Sequence, residues 1–133
     1  AYAFLDAADA PRIGVIGWCL GGRWSLRTAL LLPDQVDAAV IYYGSLVTDR
    51  DQLATLQMPI LGNFGEADPL IPLDDIASFE ATLRELGKSV DLKVYPDAQH
   101  AFSNPSGTAY NAAAAKDAWQ RTTGFFAANL KSE

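Results

Sequence analysis

The sequence predicts an α/β domain, a parallel sheet of about four strands with helices on both faces. Two observations carry that expectation. Short apolar, β-branched runs alternate along the chain with segments of helical period, which is the pattern of βαβ crossovers. The single cysteine, the single histidine and a turn aspartate each follow one of those runs, and so fall at the strand ends where a parallel sheet collects its ligand chemistry.

Ile13 to Gly17 reads as a strand buried on both faces. Leu20 to Leu32 reads as a helix whose broad apolar face holds Leu20, Trp24, Leu26, Leu30 and Leu31, with Pro33 as its stop. Ala38 to Tyr43, "AAVIYY", is the second strand, closed by Gly44-Ser45. Residues 46 to 57 read as a polar loop with a short helix, and Met58 to Phe64 as the third strand. Past the turn "GEADPLIP", Ile76, Phe79, Leu83 and Leu86 form a helical stripe, Glu80 and Arg84 pair on its outer face, and Gly87 ends it. Val90 to Tyr95 alternates Val90, Leu92 and Val94 with Asp91, Lys93 and Tyr95, as a strand near a sheet edge does. The last helix runs from about Tyr110 to Leu130, with Ala115, Trp119, Thr122, Phe126 and Leu130 on its inner stripe. Ahead of the first strand, Ala1, Phe4, Leu5 and Ala8 have helical spacing up to Pro11 and read as the last turns of a helix. There is no internal repeat, low-complexity tract or linker, so residues 1–133 read as a single α/β domain without an internal boundary.

At 133 residues, half of them apolar, the chain is long enough to bury roughly two-thirds of its unfolded surface in one core. A net charge of -6, with no basic cluster beyond Arg23 and Arg27, excludes nucleic acid and anionic membranes as expected partners. One cysteine rules out an intramolecular disulfide, and one histidine leaves no ligand cluster of zinc-site type, so no metal is expected. No apolar run approaches the roughly 20 residues of a membrane span and no leader opens the sequence, which makes the cytoplasm the expected address.

The chemistry starts at "GWCLGG", Gly17-Trp18-Cys19-Leu20-Gly21-Gly22, a strand-to-helix turn with a nucleophile at its tip. Gly17 and Gly21 are expected to lack Cβ atoms because strand and helix crowd each other there. The helix beginning at this turn points free N–H groups at the sulfur, which favours a thiolate and leaves the Leu20 amide able to stabilise an oxyanion. The plain alternative is a glycine-rich turn around a buried cysteine. An attacking thiol needs a base, and the base an orienting carboxylate, in the chain order nucleophile, acid, histidine. His100, in the loop "YPDAQHAF", is the base candidate, against the ordinary reading of an exposed or structural histidine. For the carboxylate the turn offers Glu66 and Asp68; Asp68, just before Pro69, is the first choice, with turn capping as its ordinary role. Asp97 stands too near His100 in sequence to be preferred.

The stretches "RIGVIGWCLGGR", "AAVIYYGS", "MPILGNFGEADPLIP" and "VYPDAQHAFSNP" together resemble the dienelactone hydrolase family, α/β-hydrolases that open ester or lactone carbonyls with a cysteine. The resemblance implies Cys19 as nucleophile, Asp68 as acid and His100 as base, with no metal or organic cofactor. It implies a small-molecule ester or lactone as substrate, with Trp18, Phe102 and Asn104 lining its site. Where the family places a carboxylate-binding arginine just past the histidine, this chain has Asn104, which can hydrogen-bond a substrate but not neutralise it. The chain also resembles only the C-terminal half of the α/β-hydrolase fold. On that view the strand at 13–17 becomes an unpaired edge, and a homodimer formed through it is expected. Two readings stand: a thiol hydrolase with a Cys-His-Asp triad, or a weakly active or non-catalytic half-domain that serves as an oligomerising scaffold.

Overall fold

Gly14–Trp18 (β1), Ala38–Tyr42 (β2), Ile60–Gly65 (β3) and Val90–Tyr95 (β4) lie side by side in that order as one parallel sheet in the computed structural model, which describes residues 12–130. The helical reading of Ala1 to Ala8 falls outside the described residues. The register pairs Trp18 with Tyr42, Tyr42 with Asn63 and Asn63 with Lys93, so all four carboxyl ends meet along one rim. Cys19, Tyr43, Asp68 and His100 all follow from that rim.

Leu20–Leu31 (α1), Arg50–Leu53 (α2), Leu73–Glu85 (α3) and Ala112–Leu130 (α4) complete the chain. Side-chain alternation along each strand divides the core in two. Ala39, Ile41, Ile60 and Phe64 pack under Leu26 and Ala29 of α1 and Ile76, Phe79 and Leu83 of α3. Val40, Tyr42, Leu61 and Tyr95 point to the opposite face, against Ala114 and Ala118 of α4. Helices therefore cover both faces, as expected of an α/β domain. Each large side chain so buried contributes about 1.5–3 kcal/mol relative to exposure. Asp91 and Lys93 are exposed on β4, in keeping with its edge position.

The stop of α3 follows from Gly87, whose φ of 74° is open to glycine and whose N–H reaches the Arg84 carbonyl at 3.1 Å. On its outer face Arg84 pairs with Glu80 at 3.3 Å.

Two helices differ in part from the sequence expectation: Leu26 of α1 and Thr122, Phe126 and Leu130 of α4 face the sheet as expected, but other residues of the two stripes do not. Leu20, Trp24 and Leu31 of α1 are exposed, and Gly22, Ser25, Leu26 and Ala29 face the sheet. In α4 the buried residues are Ala114, Ala118 and Thr122, whereas Trp119 is half-exposed. The same cause acts in both: a helix that lies close on a sheet selects small residues at the contact, and the large apolar side chains fall to the flanks. Polar bonds hold both contacts. Ser25 Oγ donates to the Val40 carbonyl at 2.9 Å, and Tyr42 and Thr122 share a hydroxyl bond of 2.7 Å. No described helix is long and apolar enough to cross a membrane.

Candidate active site

Cys19 occupies the single residue between β1 and α1, with φ 55° and ψ -119°. That left-handed backbone is rare for a residue with a side chain and is retained where the surroundings enforce it. Here they do: the Cys19 N–H donates to the Tyr42 carbonyl at 3.1 Å, and its carbonyl accepts from Arg23 N at 3.3 Å. A Cβ on Gly17 would stand 1.9 Å from the Gly21 carbonyl oxygen, and one on Gly22 2.7 Å from that of Tyr42. The close approach thus rests on Gly17 and Gly22. Gly21 is different from the expectation, since a Cβ there meets nothing among the described residues. No side chain caps α1, which leaves the amide of Leu20, its first residue, at the site.

Asp68 and His100 meet across two loops. His100 Nδ1 lies 2.7 Å from Asp68 Oδ2, and Asp68 Oδ1 accepts from Leu70 N at 2.8 Å. Asp68 therefore caps its own turn and holds the histidine with the other oxygen. Its side chain is fully buried, whereas a quarter of the His100 side chain remains exposed. A carboxylate only accepts, so Nδ1–H is the donor of this bond, and in a neutral imidazole Nε2 would carry the lone pair. Gly65 allows the two loops to touch: a Cβ there would stand 2.3 Å from the Ala98 carbonyl oxygen. Ala67 N donates to that same oxygen at 2.9 Å.

Cys19 and His100 line one cavity of about 190 Å3 at the rim. Leu20, Leu70 and Ile71 form its apolar wall, and Arg23, Tyr43 and Ser45 complete it. Among the described residues no hydrogen bond joins the thiol to the imidazole. Burial, and then the Asp68 carboxylate, push the Cys19 thiol above its ordinary range. Both causes run against the thiolate that the helix N-terminus favours. Burial likewise pushes the Tyr43 phenol up to about 12.

Three residues expected at the substrate site stand elsewhere. Trp18 points to the other face of the sheet, 5.1 Å from the Tyr42 ring, and borders a separate cavity with Trp119. Phe102 is wholly buried behind Tyr43, and Asn104 folds its own exposed turn by accepting from Ser106 N at 3.1 Å. Conversely, Arg23 and Tyr43 line the cavity although no sequence motif marks them. Arg23 lies one helical turn after Cys19, a spacing that placed it on the same face; Tyr43 follows β2 as Cys19 follows β1. Among the described residues no group of three or more His, Cys, Asp or Glu side chains is arranged to hold a metal ion.

The sequence profile of the dienelactone hydrolase family matches residues 2–130. The chain belongs to the dienelactone hydrolase family. Within this family, a Salmonella typhimurium protein named "Putative carboxymethylenebutenolidase" is 36% identical over 136 residues, 96% of this chain and 50% of that protein. A protein of the same name from Methylorubrum extorquens is 38% identical over 128 residues, 90% of this chain and 44% of its own. The crystal structure titled "Putative Dienelactone Hydrolase" from Klebsiella pneumoniae superposes with a TM-score of 0.79 at 35% identity, covering 86% of this chain and 51% of that one. This member of the dienelactone hydrolase family thus spans about half the length of the curated relatives it matches.

Proposed function

We propose that this chain carries the Cys-His-Asp site of a thiol hydrolase that acts on ester or lactone carbonyls. The observation that carries the reading is the Asp68–His100 pair, its carboxylate buried and its imidazole opening onto the cavity that also holds Cys19 on its strained turn. Cys19 Sγ attacks the carbonyl carbon while its proton passes to His100 Nε2, and Asp68 steadies the imidazolium through Nδ1–H. The carbonyl oxygen, now an anion, accepts from the Leu20 amide at the start of α1. Collapse of the adduct breaks the bond to the leaving oxygen, which takes the proton from Nε2 and leaves a thioester on Cys19. Water, deprotonated by His100, then attacks the thioester and releases the acid and the free thiol.

The raised thiol makes the base necessary: with little thiolate present at neutral pH, attack and proton transfer have to be coupled. Hydrolysis of p-nitrophenyl acetate tests the reading. Wild type is expected to release p-nitrophenol faster than Cys19→Ala and His100→Ala, and equal rates in all three would remove the basis for a thiol hydrolase. The relatives' printed name, carboxymethylenebutenolidase, supports a lactone among the substrates.

A further inference from the structure

Tyr43 stands where the sequence gives no functional motif, yet its geometry is unusual on three counts. Its φ is 36°, in the left-handed region that a residue bearing an aromatic side chain rarely enters. Only 2% of it is exposed. Its ring also meets the His100 imidazole, at 5.3 Å between centroids and 62° between planes. Behind it Phe102 packs edge-on at 5.2 Å, and Tyr95 follows Phe102 at 5.3 Å, so an aromatic column runs from the imidazole into the core. The backbone is pinned as firmly: Tyr43 N donates to the Asn63 carbonyl at 2.8 Å, and the next residue, Gly44, lies so close to α1 that a Cβ would stand 2.5 Å from Arg23 N.

The bond to Asp68 fixes one atom of the imidazole, Nδ1, and leaves the ring plane free to swing about it. A second, rigid contact is needed to aim Nε2 at Cys19, and strain held in place by a packed surrounding is a signature of such a task. Resting on the hydrolase reading above, we infer that Tyr43 is a positioning residue, its ring holding the plane of His100 so that Nε2 faces the thiol. It touches the base and acts through it.

The test is a double-mutant cycle on the first turnover of p-nitrophenyl acetate, comparing Tyr43→Leu, His100→Ala and the double variant. Tyr43→Leu is expected to slow p-nitrophenol release about 10- to 100-fold, as a misplaced base does, and to change nothing further once His100 is alanine. The conservative Tyr43→Phe is expected to restore the rate to within about threefold, because the ring and not the hydroxyl aims the base. Equal slowing by Tyr43→Leu with and without His100 would show a merely structural ring and overturn the inference, as would a rate unchanged by Tyr43→Leu. Tyr43→Phe conserves the packing, so its failure to restore the rate overturns the inference even where Tyr43→Leu is too unstable to assay. A rate indifferent to His100→Ala in the wild-type background would instead bring down the hydrolase reading itself.

Discussion

Asp68 and His100, from loops that follow different strands, are joined by a 2.7 Å bond whose carboxylate is fully buried and whose imidazole opens onto the cavity. In the proposed mechanism that asymmetry gives each a role: the buried partner orients, and the quarter-exposed partner exchanges a proton with something bound above it.

Asp68→Asn separates the two duties of the carboxylate. An amide can still accept from the Leu70 N–H but no longer accepts from Nδ1–H without presenting its NH2 group, and so disturbs the tautomer. Release of p-nitrophenol is expected to fall by roughly three to four orders of magnitude, with a stability loss of only about 1–3 kcal/mol. Comparable losses in rate and in folded fraction, seen by activity and urea melts side by side, would reduce Asp68 to a turn cap.

Gly65→Ala tests the contact between the two loops. The added Cβ would stand 2.3 Å from a backbone oxygen, which no rotamer change can relieve. A destabilisation of about 1–3 kcal/mol is expected from forced backbone movement, together with a rate loss larger than that of a surface control of equal stability. An active, fully stable variant would show that the loops need no such approach.

The titration of the site has a definite sign. Because burial and Asp68 raise the Cys19 thiol, the folded chain holds that proton more tightly than a free thiol of pKa about 8.5 does. Alkylation by iodoacetamide at pH 7 is expected to be slower than that of free cysteine, and to climb as pH rises past 9. Tyr43, pushed up to about 12 from 10.0, acts on stability in the same direction. Its folded value lies above its unfolded one, so its contribution is complete below pH 10 and is lost as pH rises from there to about 12. Urea midpoints measured between pH 9 and 11 are expected to fall over the upper part of that range; a flat series, or fast alkylation at pH 7, would contradict these shifts.

The parallel sheet was legible because buried parallel strands announce themselves as β-branched runs, as in Ala38–Tyr42, and Val90–Tyr95 showed its edge position by its charges. The Asp68–His100 pair was legible from chain order after strands. What misled the reading of α1 and α4 was size. Periodicity of large apolar residues pointed correctly to Leu26 and Phe126 but also to Trp24, Leu31 and Trp119, whereas much of the sheet contact belongs to Gly22, Ser25, Ala29, Ala114 and Ala118, whose small side chains carry little periodic signal. The surroundings of the thiol were illegible for a related reason. The turn motif displays the helix N-terminus, whereas burial and the nearby Asp68 charge exist only once the fold has brought the loops together.

Mass spectrometry of the chain quenched in acid during turnover of p-nitrophenyl acetate addresses the central claim most directly, because it asks which atom takes the acyl group. The expected result is one acetyl group on the peptide containing Cys19, accumulating more slowly in His100→Ala and absent from Cys19→Ala. Release of p-nitrophenol with Cys19 unmodified, or with acetyl groups spread over lysines and no dependence on His100, would contradict a thioester mechanism at this site.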